Sequence, residues 1–220
     1  MPEACPTSSR TQGGEEDKLA EESVGDRPKK LIMGEVTFGF LDESGFSLTP
    51  FIARTWAPVG KTPIVIHPFN WEKLSAISVV TSTGKLCFRL HPNKTIRAGE
   101  VVEFLRQFLR KVSGQILLYW DGIPPHRSKK VKEFLAKHSR LQVRRLPPYS
   151  PDLNPDEGVW NYVKIRELPN LTAKDTYELV REVRGALRSV QRRPDLIRSF
   201  LFESELPWDN ESRQIIAGLS

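Results

Sequence analysis

The stretch RAGEVVEFLRQFLRKVSGQILLYWDG, residues 97–122, decides the fold. In its first part Ala98, Val101, Val102, Leu105, Phe108 and Leu109 fall at i, i+3, i+4, i+7, i+10 and i+11, the spacing of one apolar helix face. Gly114 is a helix stop. The run that follows is apolar, too short for a second helix, and ends in the acid Asp121, so it predicts a short buried strand. A helix feeding directly into such a strand is a crossover unit of an α/β sheet.

Upstream of this unit the period changes to two. In EVTFGFLDESGF, residues 35–46, Val36, Phe38, Phe40 and Asp42 share one face of an extended chain and Thr37, Gly39 and Leu41 the other. This predicts a strand with Asp42 at its end. KLSAISVVTSTGKLCFRL, residues 73–90, holds two β-branched, apolar runs split at Thr83-Gly84, a hairpin pattern. Downstream, SKKVKEFLAKHS predicts a helix with Val131, Phe134 and Leu135 inward, and LQVRRL a fifth strand. TAKDTYELVREVRGALRSV predicts a long helix burying Leu179, Val183, Ala186, Leu187 and Val190, and Pro194 opens a last helical piece through about Phe202. The order is three strands, helix, strand, helix, strand, helix. It predicts an α/β fold with a mixed five-stranded sheet flanked by helices: a meander first, crossovers after.

Between the fifth strand and the next helix lies LPPYSPDLNPDEGVWNYVK, residues 146–164, with Pro147, Pro148, Pro151 and Pro155 inside ten residues. Proline fixes φ and removes a backbone donor, so this run sets a stiff, non-helical path. Asn154 or Asp156 can cap the helix that follows, and Glu157 stands in its first turn. An acid at a strand end, or in the first turn of a helix, is commonplace taken singly. Adjacent and parallel strands would set Asp42 beside Asp121, with Glu157 arriving from above. Three converging carboxylates repel one another unless a cation sits among them, and hard oxygen ligands suit Mg²⁺ or Mn²⁺. Two such ions can activate an attacking hydroxyl and stabilise a leaving oxygen, and stiffness ahead of Glu157 would then hold a ligand in place.

The words FLDESGF, YWDGIPPHRS and LPPYSPDLNPDEGVWNYVK resemble the catalytic blocks of the mariner-like DDE transposases, in particular their bacterial insertion-sequence branch. The resemblance covers roughly residues 36 to 168, and TWAPVGKTP, Thr55 to Pro63, is similar to the family's stretch after the first acid. Between Asp121 and Glu157 stand 35 residues, a spacing such enzymes show. The proline-rich block with its acid and its Trp160 three positions later is the most specific part. The resemblance implies an RNase H-like catalytic domain over residues 34–168, with a C-terminal helical extension over 169–220 that either covers the sheet or forms an interface. It implies that Asp42, Asp121 and Glu157 are the catalytic, metal-binding acids, served by Mg²⁺ or Mn²⁺ and two ions. Glu43, Asp152 and Asp156 are neighbours without a metal role in the family. His126 matches a histidine that follows the second acid, and it either orients substrate phosphate or caps the next helix. Basic positions such as Arg127, Lys61, Lys164, Arg144 and Arg145 are candidates to line a DNA path.

The implied reaction is metal-dependent cleavage at transposon ends followed by strand transfer into target DNA. Implied partners are those two DNAs and, since two ends are handled together, a second copy of the chain. Full-length relatives carry an N-terminal helix-turn-helix module that reads the element's ends. Here residues 1–33 have a low-complexity, polar composition without periodicity, which predicts a disordered or out-of-frame leader. The end-reading module is then expected from a separate or frameshift-fused product. The rival reading is a truncated, non-autonomous remnant that binds DNA or transposase without catalysis.

Composition agrees with a polyanionic partner: the net charge is +6 and the pI about 9.4. Other chemistries find little footing. His67, His91, His126 and His138 show no paired zinc spacing, Cys5 and Cys87 cannot make a zinc finger, and no phosphate-cradling glycine loop or G-x-S-x-G elbow occurs. No apolar run approaches the roughly 18 residues of a membrane span and no signal peptide is present, so the expected place is the cytoplasm, associated with the nucleoid.

Overall fold

A computed structural model describes residues 36–66 and 72–206. The leader expected over residues 1–33, His67, and the end of the C-terminal extension lie outside the described residues. Five strands form one sheet: β1 (Val36–Ser47), β2 (Lys73–Thr81), β3 (Leu86–Pro92), β4 (Gln115–Trp120) and β5 (Leu141–Arg145). Their spatial order is β3-β2-β1-β4-β5. β1 to β3 make the antiparallel meander, while β4 joins β1, and β5 joins β4, in parallel. This is the mixed, RNase H-like sheet expected from the sequence.

Helix α1 (Ala98–Lys111) and helix α2 (Lys129–Ala136) cover one face. At the start of α1 the Glu100 carboxylate reaches back to accept from the Arg97 N–H at 3.1 Å, the N3 half of a capping box. Its apolar face is wider than the sequence stripe predicts, because Phe104 is buried as well. Phe104 and Phe108 are each fully buried, worth about 1.5–3 kcal/mol apiece. The carbonyls at the end of α1 are satisfied from a distance: Arg140 donates to Leu109 O, to Val112 O at 2.8 Å and to Gly114 O at 3.1 Å. That staple fixes where β4 begins.

On the other face lie α3 (Pro155–Tyr162), its continuation as a π-helical turn (Val163–Glu167), α4 (Thr176–Gln191) and α5 (Pro194–Glu203). Trp160, Leu179, Val183, Leu187, Ile197 and Phe200 share one cluster with Phe38, Phe40 and Leu74 of the sheet. The helices beyond residue 169 therefore cover the sheet.

β1 departs from expectation in one respect that matters for the site. Asp42 does not end the strand. Pairing with β2 continues from Asp42↔Ser78 to Ser47↔Lys73, whereas pairing with β4 stops at Phe40↔Tyr119. Asp42 is thus held by a strand on one side and open on the other.

Candidate active site

Continuing the β1–β4 register by two residues brings Asp42 level with Asp121, the residue after β4. Glu157 reaches the same place from α3. Asn154 caps that helix by accepting from the Asp156 N–H at 3.3 Å, Pro155 takes the first helical position, and Glu157 is third. Asp42, Asp121 and Glu157 line one cleft of about 370 Å³, walled by Pro147, Pro148 and Pro151. The proline path thus forms the wall opposite the strand ends, as its stiffness suggests. The structure brings the three expected acids together.

The electrostatics of the site set its carboxylates apart. Burial, then the negative charges of Glu157, Glu43 and Asp121, push Asp42 up to about 8. Asp121 behaves oppositely: burial alone would raise it, but hydrogen bonds from His126 and the Ile123 N–H, with the charges of His126 and Arg145, hold it below the usual carboxylate range. Asp42 is therefore the acid that needs a cation. A divalent ion among these oxygen donors would relieve the repulsion, so the residues fit such an ion.

His126 does neither of the things expected of it. Ser128, not His126, caps α2, accepting from the Val131 N–H. Nor is the ring open to substrate, because its side chain is 1% exposed and both nitrogens are committed, Nε2 to Glu43 and Nδ1 to Asp121, each at 2.9 Å. The ring stacks on Trp120 with centroids 4.3 Å apart. Burial opposes its charge, yet the hydrogen bonds to Asp121 and Glu43 push it up to about 9. Donor atoms of Glu43, Asp121 and His126 lie within 4.8 Å of one another. A charged imidazole has no lone pair for a metal, so this trio reads as an ion-paired bridge that orients Asp121 and leaves its other oxygen for the cleft.

Asp156, adjacent to Glu157 in sequence, is fully buried beneath the site. Ser78 Oγ stands 2.7 Å from both of its carboxyl oxygens. One hydroxyl proton, shared between those contacts or given to one of them, leaves room for a proton on the acid itself. Burial and the charge of Asp42 push Asp156 well above its ordinary value, in agreement. The pair ties α3 to β2 directly under Asp42. Sequence reasoning set Glu43 and Asp156 aside as neighbours; the available sign was Ser78, a hydroxyl in the otherwise apolar middle of β2.

The expected basic contacts divide. Lys61 is exposed in the segment after β1 and does not line the cleft, and Arg127 is exposed beside His126 without lining it. Lys164 donates to Ser44 Oγ at 2.8 Å and sits over the Phe46 ring, about two turns of helix from Glu157. Arg145 does line the cleft.

A family model described as DDE superfamily endonuclease matches residues 37–180. The chain belongs to the DDE superfamily endonucleases. Within that superfamily it is similar to the insertion element IS630 uncharacterised 39 kDa protein of Shigella sonnei, 24% identical over 155 residues, which are 70% of this chain and 45% of that protein. The chain thus spans less than half the length of this relative. Among solved structures it shares the fold of the Mos1 mariner paired-end complex with Mn, at 14% identity and TM-score 0.52, covering 93% of this chain and 68% of that one. The Mos1 strand transfer complex gives 13% identity and TM-score 0.51, over 82% of this chain and 60% of that one. The fold of this DDE-superfamily chain is accordingly that of a mariner transposase. No helix among the described residues is long and apolar enough to cross a membrane.

Proposed function

We propose that this chain is the catalytic part of an insertion-element transposase, cutting DNA at element ends and joining the freed 3′ end to target DNA. The observation that carries this is the convergence of Asp42, Asp121 and Glu157 on one cleft in which Asp42 is pushed up to about 8. Asp42, Asp121 and Glu157 would hold Mg²⁺ or Mn²⁺, in one or two ions. Bound there, such ions supply Lewis acidity and lower the pKa of a coordinated water or hydroxyl.

The chain's own residues do the rest. The His126 bridge keeps Asp121 ionised and aimed. The Ser78–Asp156 pair fixes α3 against the sheet and so sets the reach of Glu157. Pro147, Pro148 and Pro151 hold the opposite wall, which limits where a strand can enter. Hydrolysis and strand transfer are both in-line displacements at a phosphodiester, so one set of carboxylates serves both steps. DNA is the substrate in this reading, supported by the similarity to Mos1 structures described as a strand transfer complex and as a paired-end complex with left transposon end. In this reading the pairing of two ends calls for a second copy of the chain, and recognition of particular ends belongs to a separate or frameshift-fused helix-turn-helix module. The workplace is the cytoplasm, at the nucleoid.

The test is nicking of supercoiled plasmid by purified protein with Mg²⁺ or Mn²⁺ against EDTA, with Glu157→Gln and Asp121→Asn as controls. Metal-dependent nicking lost in both variants, with DNA binding retained, is expected. Nicking by the variants at the wild-type rate would remove these acids from the reaction. Absence of nicking by the folded wild type would favour the non-catalytic remnant.

A further inference from the structure

The cleft is rich in negative charge, and a DNA strand brings more. Of the residues that line it, Asp42, Asp121 and Glu157 are acids and Arg145 is the one Lys or Arg. Several arginines elsewhere are occupied: Arg140 staples α1, Arg89 pairs with Glu103, and Arg193 with Glu167. The Arg145 side chain makes no ion pair or hydrogen bond among the described residues, although its charge helps hold Asp121 low, so its five N–H donors remain available to a ligand in the cleft.

Its position is built rather than accidental. Arg145 ends β5 in register with Trp120, and the next residue locks the strand end through Leu146 N–H to Trp120 O at 2.8 Å. The guanidinium then lies across the backbone of Gly122, the residue after Asp121. A Cβ at Gly122 would stand 2.1 Å from Arg145 Nη2, 2.8 Å from Cζ and 2.9 Å from Nε. Any side chain at 122 would evict the guanidinium. Glycine here is what lets a cation lie flat beside the second acid, facing the cleft.

We propose that Arg145 is a phosphate-binding residue of this cleft, gripping non-bridging oxygens of the DNA strand next to the reacting phosphodiester, with Gly122 providing its seat. The inference rests on the DNA-cleaving reading above. A guanidinium suits the role because its parallel N–H groups match two phosphate oxygens, which a lysine ammonium does not. It also gives the strand a charge-assisted anchor that does not depend on the metal-holding carboxylates.

The experiment compares wild type, Arg145→Ala, Arg145→Lys, Gly122→Ala and the double variant Gly122→Ala/Arg145→Ala, all in the full chain. Two readouts are taken: Mg²⁺-dependent plasmid nicking, and binding of a mixed-sequence 30-base-pair duplex in EDTA as a function of NaCl. Arg145→Ala should slow nicking roughly tenfold, the worth of one charge-assisted hydrogen-bonded contact. It should also flatten the slope of log affinity against log salt by about 0.9, one phosphate contact. Arg145→Lys should keep the slope but not the rate. Gly122→Ala displaces only the end of a flexible side chain, so it should fold, melt near wild type and nick like Arg145→Ala. The double variant should be no slower than Arg145→Ala alone. Wild-type nicking with Arg145→Ala and Gly122→Ala unchanged overturns the phosphate site and leaves the proposed function standing. Additive losses in the double variant overturn the link between the two residues. Wild type that neither nicks nor binds overturns the function, and this site with it.

Discussion

Gly158 follows Glu157 in α3, and replacing it by alanine tests how tightly the position of that acid is determined. A Cβ there would meet Phe200 of α5 at 3.0 Å from Cδ1, 3.1 Å from Cγ and 3.2 Å from Cβ. Carbon pairs prefer about 3.5–4.0 Å, so α3 and α5 must part by about 0.5 Å. Phe200 cannot simply swing away, being 6% exposed and packed against Tyr162 with ring centroids 5.9 Å apart. Overpacking of this kind costs about 1–3 kcal/mol, and alanine's better helix propensity returns about 1 kcal/mol. The net loss is about 1 kcal/mol, or about 3 °C in melting temperature for a chain of this size. Function should suffer more than stability, because a 1 Å misplacement of a reacting group costs about a hundredfold, and half of that about tenfold. Calorimetric melting and metal-dependent plasmid nicking measure the two effects. Gly158→Ala with Phe200→Ala should recover part of the nicking, since the second alanine removes Cδ1 and Cγ and keeps only the Cβ contact at 3.2 Å. A Gly158→Ala protein that melts higher by the full propensity gain and nicks at the wild-type rate would show that α3 is not positioned by this contact.

Asp156→Asn keeps the neutral form of a carboxyl that burial and Asp42 push well above its ordinary value. The folded protein holds this proton where the unfolded chain releases it near pH 4; the stabilisation is therefore complete below that pH and is lost as pH climbs towards the folded value. Metal-free Asp156→Asn should melt above wild type by a margin that widens from pH 5 to pH 8, and a constant margin would mean the buried acid is not protonated. His126→Ala removes a hydrogen bond that holds Asp121 low, so the acid limb of the nicking profile should move to higher pH. A slower enzyme with an unmoved acid limb would reduce His126 to packing against Trp120. Trp160 is 1% exposed and its Nε1 finds no acceptor among the described residues, so Trp160→Phe gives up area but no hydrogen bond seen there. The change should cost less than about 1.5 kcal/mol and leave nicking within about twofold; a loss beyond tenfold would give the indole a part in the chemistry.

What could be read from the sequence, and what could not, follows from the range of the interactions involved. The element order was legible because the apolar periods of 3.6 and 2 are local, and α1, β4 and α4 each bury enough surface to impose theirs. The three acids were legible because two stand just past or within strands of clear pattern and the third follows a proline path with its own helix start. Asp42 was misplaced at a strand end because its neighbours on the two sides differ: β4 stops pairing at Phe40 while β2 carries on to Ser47, a fact of sheet order that no local period records. Glu43 and Asp156 read in the sequence only as neighbours of the expected acids, without a metal role. Their roles exist only through His126, 83 residues from Glu43, and Ser78, 78 residues from Asp156. Arg145 and Gly122 are the sharpest instance. Arg145 is one of several basic positions that the sequence offers for a DNA path, a glycine after an acid is an ordinary word, and only the Trp120↔Arg145 register lays one across the other. The acids expected to hold a metal are therefore marked by motif, whereas the contacts proposed to aim them, and the seat of Arg145 on Gly122, are set by strand pairing between residues far apart in sequence.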